Sequence, residues 1–357
     1  MTLSRIALLA ALLLAAPAAA QVQIAPPATV PSPSAEKAKE KPKAAPHTIT
    51  KKKKEAAPKP SASPSPTLPA TVIPAPPADN SNVDLVFGAY QRGQYKTAFD
   101  LASARAKTGD AKAMTMLGEL YSNAMGIRRD YAKAVEWYKR ASDAGDREAM
   151  FALAMLRMSG RGGPVDKGEA VKLMASSAKL GEPKAAYNLA LLYLDGQTLP
   201  QDVKRSAELL RQAADAGLPE AQYALATFYK EGTGVPKDPD KAVRLLQAAS
   251  LADNVDAEVE YAIALFNGTG TPQNKPAAVA LLRKASRQNS PIAQNRLAWV
   301  LINGVGAPAD KVEGFKWHLV AKTAGKGDPE LDKQLADLPA DDRAKAEAAA
   351  RKWLGTK

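Results

Sequence analysis

DAKAMTMLGELYSNAMGIRRDYAKAVEWYKRASDAG, residues 110–145, is followed at 146–181 by DREAMFALAMLRMSGRGGPVDKGEAVKLMASSAKLG, and the two align end to end without a gap. The same 36-residue period runs six times, from Asp110 to Gly325. Each unit closes on Gly145, Gly181, Gly217, Asp253, Asn289 or Gly325. These residue types enter the left-handed conformation most readily, which the position just past a helix end requires. A second column holds Ala113, Ala149, Ala185, Ala221, Ala257 and Ala293, where only a small side chain lets two helices approach. A third carries Gly160, Gly196, Gly232, Gly268 and Gly304, with Ala124 in the first unit.

Within one unit, Ala113, Leu117, Leu120 and Tyr121 recur at helical spacing and predict a helix over about residues 111–122. The stretch Asn123 to Ile127 breaks it. Asp130 then stands at an N-cap position, and its column reads Asp166, Asp202, Asp238, Asn274 and Asp310, all residues whose side-chain oxygen can accept a free N-terminal amide. Ala134, Val135, Trp137, Tyr138 and Ala141 give the buried face of a second helix that Gly145 ends. Two antiparallel helices per unit, stacked in series, make an all-α fold, an α/α solenoid or superhelix.

The motif Leu117-Gly118-x-x-Tyr121, a glycine-bearing turn, Asp130-x-x-Lys133-Ala134-x-x-Trp137-Tyr138 and the closing Ala144-Gly145 resemble the Sel1-like repeat, a relative of the tetratricopeptide repeat. The resemblance covers residues 110–325. Departures fall in the core: Trp137-Tyr138 becomes Leu-Leu or Leu-Met in the middle units and Trp317-His318 in the last, and Gly118 becomes Ala in the other five. Residues 81–109 resemble a shortened tetratricopeptide unit acting as a cap, with Ala98 and Gly109 in register and Tyr90-Gln91-Arg92-Gly93 running straight into the next helix. Beyond Gly325, Leu331, Leu335 and Leu338 and a charged helix from about Pro339 to Leu354 read as C-terminal capping helices over 326–357.

Ahead of the repeats, Met1 to Arg5 is a basic head, Ile6 to Ala16 an apolar run, and Pro17-Ala18-Ala19-Ala20 a small-residue end, which reads as a signal peptide cleaved after Ala20. The run is shorter than the roughly 20 residues that span a bilayer. A periplasmic or secreted protein with no transmembrane segment after cleavage is expected. Residues 21–80 hold fourteen prolines, nine lysines and four acidic residues, a composition that cannot offset its own ordering entropy and reads as a disordered tether. Its Lys51-Lys54 run could touch anionic envelope polymer or lipid, or stay solvated. The formal charge of the chain is +12, of which this arm carries +5 and residues 81–357 carry +6, a mild and interspersed charge that bears on solubility more than on ligand identity. Cysteine is absent, which removes disulfides and thiol chemistry.

Catalysis finds little to use. Two histidines are present: His47 in the arm and His318 in the column of Tyr138, where packing explains it. The motifs Gly232-Thr233-Gly234, Gly268-Thr269-Gly270 and Gly304-Val305-Gly306 mimic the start of a phosphate loop, but no strand precedes them and the turn recurs through the units. No cofactor, metal or nucleic acid is expected. In a tetratricopeptide-like solenoid the first helices line the concave side, and three columns should look into that groove. They hold Phe151, Met155 and Met158; Tyr187, Leu191 and Leu194; Val259, Ile263 and Phe266; and Asn295, Trp299 and Ile302. The first unit (Thr115, Glu119, Ser122) and the fourth (Tyr223, Thr227, Lys230) are more polar. Flexible Met beside aromatic rings suits a surface that accommodates a peptide or helix; the alternative is that superhelical curvature buries these side chains between units. The sequence thus predicts a non-enzymatic scaffold or regulator that binds a protein partner, an envelope protein or sensor, in its groove. The resemblance implies a link to exopolysaccharide or envelope signalling. Two rivals remain open: an enzyme acting on cell-wall material, a role tied to cysteine-rich relatives, and an arm that binds wall or membrane with the solenoid as support.

Overall fold

The computed structural model describes residues 84–355, all of whose regular elements are helices. The expected signal peptide, the tether with Lys51-Lys54, and His47 lie outside the described residues. Two helices precede the repeats: α1, Leu85–Gln91, and α2, Tyr95–Ala106. The six units follow as α3, Ala111–Asn123, with α4, Tyr131–Asp143; α5, Arg147–Ser159, with α6, Lys167–Lys179; and α7, Pro183–Asp195, with α8, Val203–Asp215. Then come α9, Pro219–Glu231, with α10, Pro239–Leu251; α11, Val255–Asn267, with α12, Lys275–Arg287; and α13, Pro291–Ile302, with α14, Lys311–Thr323. Helices α15, Pro329–Ala336, and α16, Ala340–Leu354, complete the chain.

Local chemistry sets these limits. The six second-helix caps, Asp130, Asp166, Asp202, Asp238, Asn274 and Asp310, each accept the amide three residues on, as their column predicted. The first helices are capped as well: Asp110, Asp146, Asn254 and Ser290 accept the amides of Ala113, Ala149, Ala257 and Ala293. Such a cap contributes about 1 kcal/mol. The closing residues Gly145, Gly181, Gly217, Asp253, Asn289 and Gly325 all have positive φ, and so does Ala124, which holds φ 59° where the other units use glycine. A further glycine serves a contact rather than a dihedral alone. A Cβ at Gly234 would lie 2.6 Å from the Val203 carbonyl oxygen, so the turn of one unit rests on the second helix of the unit before it.

Two columns of small residues bring the helices together. Ala113, Ala149, Ala185, Ala221, Ala257 and Ala293 on the first helices are buried, and so are Ala141, Ser177, Ala213, Ala249, Ala285 and Ala321 on the second. Larger side chains fill the space between units, with Leu117, Leu153, Leu210, Phe228, Leu297 and Phe315 among the most completely buried. Polar ties act within and between units. Ser177 Oγ donates to the Arg147 carbonyl of its own unit at 2.7 Å, while Gln212 reaches back to the Ala178 carbonyl of the preceding unit at 2.5 Å and Gln294 to the Ser286 carbonyl at 3.1 Å. In the fifth unit Glu258 stands where its neighbours have glutamine. It is fully buried and forms an ion pair with Lys284, whose Nζ lies 2.6 Å from its Oε1, while the same ammonium donates to Asp253 Oδ1 at 2.6 Å. Removing the lysine would leave a buried carboxylate unpaired, the costly way to break such a pair.

Candidate functional site

Each first helix turns one stripe of side chains away from its second helix, and contacts between successive units join these stripes into a single face. Tyr90 Oη donates to Glu119 Oε1 at 2.7 Å, and Thr115 Oγ1 to Asp146 Oδ1 at 3.1 Å. Lys230 Nζ donates to Glu260 Oε2 at 2.9 Å. The Phe266 and Trp299 rings meet edge to face with centroids 6.5 Å apart, and Asn295 Nδ2 donates to the Lys326 carbonyl at 3.1 Å. Every one of these pairs links a residue on a first helix, α1 included, to the unit that follows it.

The expected groove residues divide on this face. Met155 is 41% exposed. Phe151, Met158, Tyr187 and Tyr223 are half-buried against the central core, and Ile263, Phe266 and Trp299 hold the same position on the C-terminal core. Leu191, Leu194 and Ile302 are a correction: they are 6%, 0% and 5% exposed and belong to the core, as does Val259. The physical reason lies in the small-residue columns. Alanine at each helix crossing lets neighbouring units close on one another, and the branched side chains beside the seam fill it instead of facing solvent. Curvature therefore buries part of the apolar columns and leaves the rings and methionines partly open.

The wettest columns are polar and escaped a reading aimed at apolar residues. Lys112, Glu148, Lys184, Glu220 and Asp256 occupy one of them and are all exposed; exposed Glu231 stands in another, at the end of α9. The signal that would have found them is charge in the same 36-residue register. Around Tyr223 these groups converge: burial first, then Glu260, Asp256 and Glu231, hold its hydroxyl protonated well beyond the usual tyrosine range. Burial and then Glu220 act in the same direction on Tyr187. Burial works against the charge of Arg296, which Glu260 partly offsets.

The face offers rings, methionines, tyrosine hydroxyls and carboxylates for adhesion. His318 is fully buried with Nε2 2.8 Å from Asp332 Oδ1, a packing position on α14 rather than a place on this face. Among the described residues no group of three His, Asp or Glu side chains is placed to hold a metal ion, and no helix is long and apolar enough to cross a membrane.

The family model of the Sel1 repeat matches residues 111–146, 147–182, 183–218, 219–254, 255–290 and 291–326, the same six units shifted by one position. Among solved structures, a Sel1 repeat protein from Oxalobacter formigenes is 25% identical with a TM-score of 0.61, covering 68% of this chain and 100% of its own. The protective antigen c5321 of uropathogenic Escherichia coli, described as displaying an SLR fold, is 23% identical with a TM-score of 0.51. That match covers 73% of this chain and 64% of the antigen and speaks to the fold alone. No curated protein matches the chain.

Proposed function

The chain belongs to the Sel1 repeat family, whose solenoids serve in general as scaffolds for protein–protein interaction, and from that premise we propose that it is a non-enzymatic scaffold of the bacterial cell envelope holding a protein partner on the face of its first helices. The observation that supports this reading is the continuity of that face. Half-buried Phe151, Met158, Tyr187, Tyr223, Ile263, Phe266 and Trp299, with exposed Met155, run through successive units, so one extended segment can touch all of them. Rings held on a rigid framework lose little entropy on binding, and methionine adapts to its neighbour's shape. The reading of residues 1–20 as an export signal supports a site of action in the periplasm or outside the cell. There it would serve exopolysaccharide assembly or envelope signalling, with residues 21–80 spacing it from its anchorage.

Photo-crosslinking in intact cells tests this, with the reactive side chain at Met155 and a control at exposed Lys172 on α6. Met155 suits the probe because it is 41% exposed, whereas Leu191 of the same face is in the core. A discrete protein adduct from Met155 and none from Lys172 is the expected result. Equal labelling at both sites, or none at Met155 in exported protein, overturns the reading.

A further inference from the structure

The inner face is not uniform in charge. Helices α9 and α11 together carry Glu220, Glu231, Asp256, Glu258 and Glu260 against the single cation Lys230. Glu258 is spent on Lys284 and Glu260 on Lys230. Glu220, Glu231 and Asp256 form no ion pair among the described residues. The other first helices of the repeats are balanced or basic: Lys112 offsets Glu119 on α3, Arg147 and Arg157 exceed Glu148 on α5, Lys184 offsets Asp195 on α7, and α13 carries only Arg296. An anionic patch thus stands in the fourth and fifth units of a chain whose formal charge is +12. It borders the half-buried rings of Tyr187 and Tyr223, whose hydroxyls have no hydrogen-bond partner among the described residues.

We propose that the face formed by α9 and α11 takes a basic polypeptide segment, its lysine or arginine side chains set against Glu220, Glu231 and Asp256 and its backbone or stems lying on Tyr187 and Tyr223. This rests on the reading of the first-helix face as the partner site and names the chemistry of that partner. The favoured occupant follows from complementarity. Like charges brought against these carboxylates would be repelled, whereas cations find three acceptors without a competing counter-ion. The arrangement of tyrosines suits the stems of long cationic side chains, which cover apolar surface while the charge stays at the rim. The polarity that interrupts the apolar columns in the fourth unit is, on this account, the selective part of the groove.

The test uses the full chain and two labelled peptides, one of alternating Lys and Ala and one with Glu in place of Lys, with a chitin-derived hexasaccharide as a carbohydrate probe. Fluorescence anisotropy at low ionic strength reads the peptides, and hydrogen exchange locates all three. The Lys peptide is expected to bind and to protect residues 219–231 and 255–267. The double variant Glu220→Gln/Asp256→Asn should weaken it about tenfold, as the loss of two exposed charge pairs would. Glu136→Gln on exposed α4 should leave it unchanged. Tight binding of the Glu peptide or the saccharide on this face, abolished by Met155→Asp, overturns the basic occupant while leaving the interaction face standing. If neither peptide protects any first helix, both ideas fail. If the Lys peptide binds but ignores the double variant, the inference alone fails.

Discussion

A methyl group at position 118 would sit 2.6 Å from the ring of Tyr138, closer than any real contact, and this one distance explains why the first unit alone has glycine there. In the other five units alanine faces Met174, Leu210, Leu246, Leu282 or His318, side chains that leave the space the tyrosine ring takes. The departure from the repeat pattern is therefore a paired exchange of volume across one helix crossing. Burial pushes the Tyr138 hydroxyl up to about 12, in keeping with a ring inserted fully between the helices. Gly118→Ala should destabilise the chain by about 1–3 kcal/mol through overpacking, despite the gain in helix propensity. Tyr138→Leu in the same chain should recover most of that loss. Chemical denaturation of the two single variants and the double variant measures the coupling, and additive effects would show that the ring and the glycine do not depend on one another.

Helices α15 and α16 end the stack by different means from those that join the repeats. Trp353 of α16 meets Trp317 of α14 with ring centroids 5.0 Å apart, and Lys316 Nζ lies 3.9 Å and 4.8 Å from the two centroids. Such cation–ring contacts strengthen as water is excluded. Helix α15 is held by Asp332, which accepts Lys322 Nζ at 2.8 Å and lies 2.8 Å from His318 Nε2. Lys322 first, then His318, keep its carboxyl below the usual aspartate range. A carboxyl whose folded pKa is depressed stabilises the fold above its unfolded pKa, about 3.9, and loses that contribution as pH falls through that value toward the folded one. Amide exchange in α15, referred to the rate of an unstructured peptide, should therefore become severalfold less protected between pH 5 and pH 3. Asp332→Asn should flatten the change, and an unaltered pH response in that variant would assign it to other groups. The contrast with the repeats shows which features could be read in advance. Helix ends were legible because caps and left-handed residues are single-residue chemistry repeated six times. The first-helix caps Asp110, Asp146, Asn254 and Ser290 carry the same chemistry, but their column is broken by Glu182 and Leu218 and so stands out less in the sequence. Burial of Leu191, Leu194 and Ile302 was not legible, since helical spacing places them on a stripe but the angle between neighbouring units decides whether that stripe closes. The anionic patch on α9 and α11 depends on which carboxylates find a cation in the next unit, a property of pairs that a single helix does not display.

At the scale of the whole chain, helices pack chiefly against their immediate neighbours in sequence. A stack of this kind has no centre to which every residue contributes, and its stability approximates a sum of unit and interface terms. The buried side chains divide accordingly: one cluster runs from Ala154 to Ala257, another from Val259 to Ala350, and smaller ones hold the first units together. Only partly buried side chains such as Tyr261 touch both large clusters. A lesion at one end should then loosen that end before it reaches the other, which departs from the single transition of a globular domain. The four tryptophans are placed to detect this, because Trp137 lies in the first unit while Trp299, Trp317 and Trp353 lie in the last unit and its cap. Leu331 on α15 is 1% exposed and packs into the C-terminal cluster, so Leu331→Ala should cost about 2–5 kcal/mol there. In urea, a variant retaining Trp137 alone should unfold at the same midpoint with or without Leu331→Ala. A variant retaining Trp317 alone should unfold at a clearly lower midpoint when Leu331→Ala is present. Equal shifts in both would mean that the six units unfold as one body, and the interaction face would then respond as a whole to a partner bound at either end.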